Sequence, residues 1–370
     1  MNAFKKQAER LEAWTREAAL PFWAGQARDF DGGWYECLKL DRSPDAEAVR
    51  RLRVQARQVY VYALADRLGW YDQGRDVAET TFDFMVEKGY QPDGQPGFIH
   101  LLNPNCTVKD DRRDFYDHAF YLLACANIGA KGSAIAMDIM ELIESWRSPH
   151  GGWLEGIPAQ LPRRQNPHMH LFEASMAYYE LTHDRKWLEL TSRIFELFKS
   201  HIFDPEHHVI REFFNHDWRY YKAPSGNSAE PGHAVEWVWL LGQFERLSGT
   251  DTSVYAAKLQ NRALSGDVMF LNDEEDVTGV VRRATKRLWI QTEVVKCLVA
   301  QTERGVSGCD EMAAAVIEGL FQNYLNDDGS WNDQLDENLQ PIATTIPVST
   351  FYHVMCMAAE SVRVSQLRQA

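Results

Sequence analysis

HMHLFEASMAYYELTHDRKWLELTSRIFELFKSH, residues 168–201, contains the unit from which the rest of the chain is built. Its first part, 168–183, is apolar on nearly every face, as a helix of an inner layer must be. Its second part, 185–201, is amphipathic and suits an outer layer with one face in water. Just upstream lies His150-Gly-Gly-Trp-Leu-Glu155, where glycine supplies a turn and the following aromatic suits a short strand or extended arm.

Five other segments share that arm chemistry: Asp31-Gly-Gly-Trp-Tyr-Glu36, Asp93-Gly-Gln-Pro-Gly-Phe-Ile99, Asp204-Pro-Glu-His-His-Val-Ile210, Asp276-Val-Thr-Gly-Val-Val281 and Asp328-Gly-Ser-Trp-Asn332. They recur at intervals of about 50–70 residues, the mark of stacked or ring-closed supersecondary units. Helical pairs are predicted between them: 44–68 with 73–88, 114–129 with 133–147, 168–183 with 185–201, 230–248 with 252–265, and 285–302 with 308–325. The sixth pair joins 346–363 to the N-terminal helix 2–20, which favours a closed ring over an open α-solenoid. The expected fold is all-α: an (α/α)6 barrel, a toroid of six helical hairpins with short β arms in its loops, as a single domain over residues 1–370. Nothing resembles the strand–helix alternation of a doubly wound sheet or a β/α barrel.

Composition narrows the function. A net charge of −14, with acidic residues spread along the chain, offers no basic face to nucleic acid. Six cysteines stand far apart without a C-x-x-C pair, against a zinc knuckle or a disulfide framework. The N-terminus carries charges throughout and reads as an amphipathic helix, not a signal peptide. No apolar run approaches the roughly 18 residues of a membrane span. The expectation is a cytoplasmic protein with no membrane partner.

Titratable residues gather where the apolar helices begin: Tyr116-Asp117-His118, Asn166-Pro-His168-Met-His170 with Glu173, Gly232-His233-Ala-Val-Glu236-Trp237, Leu288-Trp289-Ile-Gln-Thr-Glu293 and Phe351-Tyr352-His353. The first inner helix adds Arg53 and Arg57. Buried charges are costly unless paired, so the same feature on five or six equivalent helices points to a shared site at one mouth of the ring. His168 and His170 are two apart, and helical neighbours share a face only at three or four. Only one of them is then expected to face a cleft. No H-E-x-x-H is present, and no metal is expected. His100, His216 and His207-His208 read as structural or solvated.

These motifs, with Gly32-Gly-Trp-Tyr-Glu-Cys-Leu38 and Gln55-Ala-Arg57-Gln-Val-Tyr60, resemble the N-acylglucosamine 2-epimerase superfamily over essentially the whole length. The resemblance implies sugar C2 chemistry without a redox cofactor, on a small monosaccharide, with a homodimer as the family-level expectation. It also implies roles for Arg57, His170, His233, Glu236, Trp289, Glu293 and His353. Histidine titrates near neutrality and can both accept and return a proton. His353 and His233 are therefore assigned as base and acid, with Glu236 or Glu293 orienting an imidazole or assisting ring opening. Arg57 would carry the charge on O1. His170 and Asn166, grouped with Tyr116 and Asp117, would hold hydroxyls, and Trp289, Trp237 or Trp239 would face the apolar side of the sugar.

Tyr116-Asp-His-Ala-Phe120 and Arg163-Arg-Gln-Asn-Pro-His-Met-His170 are similar to the mannose isomerase branch, and leucine at 288 counts against a disaccharide. The leading expectation is an isomerase of unphosphorylated D-mannose and D-fructose acting through a cis-enediolate. The alternatives are a sugar 2-epimerase, a glycoside hydrolase using Glu236 with Glu293, and a non-catalytic carbohydrate-binding or scaffold protein.

Overall fold

The computed structural model describes residues 3–222, 224–266 and 269–367. Its α-helices, in chain order, are α1 (Ala3–Trp14), α2 (Leu20–Gln26), α3 (Leu52–Arg67), α4 (Gly74–Gly89), α5 (Phe115–Ile128), α6 (Ser133–Ser145), α7 (Asn166–Thr182), α8 (Arg185–Leu197), α9 (Pro231–Ser248), α10 (Ser253–Ala263), α11 (Leu288–Glu303), α12 (Cys309–Asn323) and α13 (Phe351–Leu367). The expected hairpins are all present. Three inner helices start later than expected: α3 at 52 rather than 44, α11 at 288 rather than 285, and α13 at 351 rather than 346. Short strands stand where the helices were expected to begin: Arg50–Arg51 and Lys286–Arg287 directly before α3 and α11, and Thr345–Pro347 followed by the 3-10 turn Val348–Thr350 before α13. Arg113–Asp114, Arg163–Arg164 and Ser228–Ala229 do the same before or near α5, α7 and α9.

The chain divides into two compact units. One takes in the described residues of Met1–Trp23, Phe203–Arg211 and Asn227–Ala370. There α11 packs against α9, α12 and α13, α9 against α10, and α1 against α12 and α13. Every residue of α11 from Ile290 to Thr302 is buried, so its polar members, Gln291, Glu293 and Lys296 among them, must find partners inside the protein. The other unit comprises Ala24–Ile202 and Glu212–Gly226. In it α3 packs on α4 and α5, α5 on α6 and α7, and α7 on α8. The outer helix α8 buries a single stripe, Trp187, Leu190, Thr191, Ile194 and Phe195. Against expectation, the stretch Phe115–Ser145 is long and apolar enough to pass for a membrane span. It is two helices, broken by the short turn Gly129–Gly132, and α6 packs back on α5.

One hydrogen bond recurs between the arms and the inner helices. In the first turn of α3, Gln55 Oε1 accepts the backbone N–H of Trp34 at 2.7 Å. In α11, Gln291 Oε1 accepts that of Leu271 at 2.9 Å. In α5 and α7 a histidine replaces the glutamine: His118 Nε2 accepts from Phe98 N–H at 3.1 Å, and His168 Nε2 from Trp153 N–H at 3.2 Å. Each imidazole keeps its other nitrogen on a backbone carbonyl one turn earlier, Asp114 or Arg164. The approach is so close that only glycine fits opposite: a Cβ at Gly97 would lie 2.5 Å from His118 Nε2, and one at Gly152 2.7 Å from His168 Nε2.

Both imidazoles are therefore clamps that stay neutral. Burial pushes His118 down to about 4, and burial with the charge of Arg163 pushes His168 down to about 3, from an ordinary 6.5. Between about pH 6.5 and 4 the unfolded chain binds protons that the folded chain refuses. Stability thus falls as pH drops through that window, by up to about 1.4 kcal/mol per pH unit for each histidine. The double variant H118Q/H168Q, which copies the glutamine clamp of α3 and α11, is expected to fold and to flatten this acid slope. Urea titrations at pH 7 and pH 5 measure it; an unaltered slope would show that these imidazoles titrate alike in both states.

Candidate active site

Within the first unit, the N-terminal turns of α9, α11 and α13 bring together His233, Glu236, Trp289, Glu293 and His353. Trp289 lies in the first turn of α11 and is only half-buried. Its indole sits between two imidazoles: the ring of His233 is 5.3 Å away, centroid to centroid, and that of His353 is 5.4 Å away, both tilted by about 40°. One turn further along α11, the buried Glu293 Oε1 receives His353 Nδ1 at 2.7 Å. Its other oxygen pairs with Lys296 Nζ at 2.8 Å. Glu236, three residues after His233 and so on the same side of α9, completes the cluster. Donor atoms of Glu236, Glu293 and His353 all lie within 4.8 Å of one another. That spacing would suit a cation, but the ammonium of Lys296 already supplies a positive charge to Glu293.

Within the second unit, α3, α5 and α7 build another polar cluster. Arg57 donates to the hydroxyl of Tyr116 at 3.0 Å and lies 4.3 Å above the ring of Phe120. The ring of His170 packs against Phe120 at 4.3 Å and Tyr116 at 5.4 Å. Its Nδ1 meets Glu173 Oε2 at 3.0 Å, so a carboxylate fixes this imidazole as Glu293 fixes His353. Beside Tyr116 opens a cavity of about 420 Å³, whose charged lining includes Arg53, Arg112, Arg113, Arg164, Asp114 and Glu155. Every one of those arginines has a carboxylate partner: Asp117 for Arg53, Asp110 for Arg112, Asp93 for Arg113, and both Glu155 and Asp114 for Arg164.

Residues 33–357 match the model of the family described as N-acylglucosamine 2-epimerase (GlcNAc 2-epimerase). The chain belongs to that family. It is 34% identical to the mannose-6-phosphate isomerase of Rhizobium meliloti, over 96% of each chain. Its backbone superposes on a cellobiose 2-epimerase from Spirochaeta thermophila with a TM-score of 0.88, at 20% identity, covering 99% of this chain and 98% of the other. A solved D-mannose isomerase gives 0.84, also at 20% identity, with 96% and 97% covered. The fold is thus the (α/α)6 barrel, and this family member is an enzyme, a sugar isomerase or epimerase.

Within this 2-epimerase-family chain the candidate residues separate into two polar clusters and packing positions. His233, Glu236, Trp289, Glu293 and His353 share one cluster, and Arg57, Tyr116 and His170 share the other. Asn166 opens α7 and is half-buried. Trp237 has no exposed surface and serves the core of its unit. Trp239 is 6% exposed; Lys296 covers its face at 3.6 Å, and its indole N–H goes to Glu360. Neither keeps the exposed surface that Trp289 does. Asp117, expected to hold a hydroxyl, is wholly buried and holds Arg53 at 2.8 Å and His100 Nδ1 instead. His100, read from the sequence as structural or solvated, is its buried partner and lines the cavity. That pairing joins residues 17 apart through an arm, and no helical spacing reveals it. Lys296 was legible in principle: a lysine inside an otherwise apolar helix, one turn after a carboxylate, needs a buried partner.

Burial alone would push the Asp117 carboxyl up, but Arg53 and His100 outweigh it and hold it at about 2. Its contribution to stability is present above the unfolded value of about 3.8 and is lost as pH falls through about 2. Asp117→Asn leaves Arg53 without its buried anion and is expected to cost about 3–5 kcal/mol at pH 7, read by urea denaturation. A loss below about 1 kcal/mol would mean that Arg53 is solvated well enough to do without it.

Proposed function

We propose that the chain interconverts an unphosphorylated aldose and its ketose, D-mannose and D-fructose foremost, with His353 as the base. The observation that carries this reading is the pair of imidazoles flanking one half-buried indole, one of them tied through Nδ1 to a buried carboxylate. The indole offers a flat apolar platform to a sugar face, and the histidines stand at its two sides. With Nδ1–H committed to Glu293, His353 takes protons at Nε2. The C2–H bond of the open-chain aldose breaks onto that nitrogen. Its electron pair forms the C1–C2 double bond, and charge moves to O1. Return of the proton to C1, as the O2 hydroxyl proton passes to O1, gives the ketose. His233 and Glu236 are assigned to ring opening and to the hydroxyl protons.

The same two imidazoles favour a second reading. A 2-epimerase needs a base on one face of C2 and an acid on the other, and His233 and His353 meet that requirement. Incubation in D2O with mannose, glucose and N-acetylmannosamine, with and without chelator, followed by NMR, separates the two. Ketose carrying deuterium at C1 supports isomerisation, an inverted aldose carrying it at C2 supports epimerisation, and the absence of both overturns the reading. His353→Ala is expected to lower turnover at least about 100-fold with the fold intact. His233→Ala should abolish inversion in an epimerase while leaving C2 exchange measurable in an isomerase.

The paired charges of the cavity beside Tyr116 support an unphosphorylated substrate. A phosphate is best held by arginine forks with no other anion to satisfy; here each arginine already stands beside a carboxylate, and the ion pairs offer donors and acceptors suited to hydroxyls. Mannose is accordingly expected to give a kcat/KM at least about 10-fold above that of mannose 6-phosphate. The reverse order would transfer the specificity of the Rhizobium relative to this chain. A cytoplasmic location, in keeping with six free cysteines, and a homodimer belong to the same proposal; sedimentation tests the dimer.

A further inference from the structure

Lys296 is fully buried, with Nζ 2.8 Å from Glu293 Oε2 and 3.6 Å above the ring of Trp239. Removing an ammonium from water costs several kcal/mol, which an ion pair only partly offsets. A leucine or methionine would fill the same space without that cost, so packing does not account for a lysine here. The carboxylate it faces is the one that receives His353 Nδ1. A second carboxylate, Glu236, is within 4.8 Å of the same group of atoms.

Two carboxylates so close and so buried do not both stay ionised without a cation, and one of them takes up a proton. A protonated Glu293 would donate to His353 Nδ1 instead of accepting from it. The imidazole would then carry its own proton on Nε2, the tautomer that cannot accept one from a substrate. The charged or titratable groups around this chain are Glu236 and His233 on α9, His353 and Glu360 on α13, and Cys309 on α12, which faces Cys297. Among these named groups the ammonium of Lys296 is the one that pairs with Glu293 Oε2.

We propose that Lys296 is a positioning residue: by holding Glu293 Oε2 it keeps this carboxylate ionised, so that Oε1 accepts Nδ1–H of His353 and proton exchange is confined to Nε2. The inference rests on the reading of His353 as the base, and its test includes a measurement that needs no turnover. In protein labelled with 15N-histidine, with His353 assigned by comparison with H353N, the wild type should show a protonated Nδ1 and an unprotonated Nε2 at pH 7. Lys296→Met should lose that pattern. In kinetics, K296M should lower kcat at least about 30-fold with KM within about threefold, because the affected group acts in the chemical step. The acid limb of its pH profile should move to higher pH, since removing a positive charge makes the imidazole easier to protonate.

A merely structural lysine would lower the melting temperature and leave both the tautomer and the acid limb in place, which would overturn the proposal. Because the single variant leaves a buried carboxylate without its cation, E293Q/K296M is measured against E293Q. If Lys296 acts through Glu293, the two turn over at the same rate within about twofold. A further loss in the double variant would overturn the proposal even if K296M does not fold. An unchanged wild-type tautomer in a protein that acts on no sugar would instead locate the failure in the assigned function.

Discussion

The rest of the architecture depends on the clamp between an arm amide and a side chain in the first turn of an inner helix. Gln55, His118, His168 and Gln291 each accept one backbone N–H. The bond satisfies a donor that burial would otherwise leave unpaired, at a cost of about 1–3 kcal/mol. It also fixes the rotation of the helix about its own axis. Two residues along an α-helix turn the chain through about 200°, so positions two before or two after the clamp face away from the arm. Arg57, Tyr116, His170, Trp289 and Glu293 occupy those positions. One hydrogen bond thus decides which side of each of these helices faces the arm and which carries the candidate residues.

That geometry explains what could be read from the chain and what could not. The repeat was legible because arms and helices alternate in chemistry: Gly-Gly-Trp turns, then helices apolar on all faces, then amphipathic ones. The later starts of α3, α11 and α13 were not, because Arg50–Arg51 and Lys286–Arg287 fit a helix as well as a strand and are held extended by partners at Leu101–Leu102 and Gln334–Leu335. Spacing required that His168 and His170 face opposite sides but could not say which faced the arm. Gly152 settles it, since a glycine is needed where His168 approaches.

The tryptophans show the limit of residue type as a guide. Trp237, Trp239 and Trp289 all lie near the start of an inner helix, and each could offer an indole to a sugar. Burial separates them: Trp237 fills the core, Trp239 lies beneath a lysine, and Trp289 alone of the three keeps half-exposed surface between two imidazoles. The distinction rests on tertiary neighbours, which a helical period does not encode.

The histidines divide by what holds the second ring nitrogen. His118 and His168 give Nδ1–H to a backbone carbonyl, and burial drives both well below neutrality, so both stay neutral at working pH. His353, His170 and His100 give Nδ1 to Glu293, Glu173 and Asp117. A carboxylate stabilises the imidazolium that forms when the other nitrogen accepts a proton; a carbonyl, with only a partial charge, does so far less. Two of these carboxylates are in turn held by a cation, Glu293 by Lys296 and Asp117 by Arg53. A cation behind the carboxylate costs proton affinity at the imidazole but guarantees that the carboxylate accepts rather than donates. For the base proposed at His353, which would take a proton from carbon and give it back, a fixed tautomer matters more than a high proton affinity, and the buried Lys296–Glu293–His353 chain suits the former.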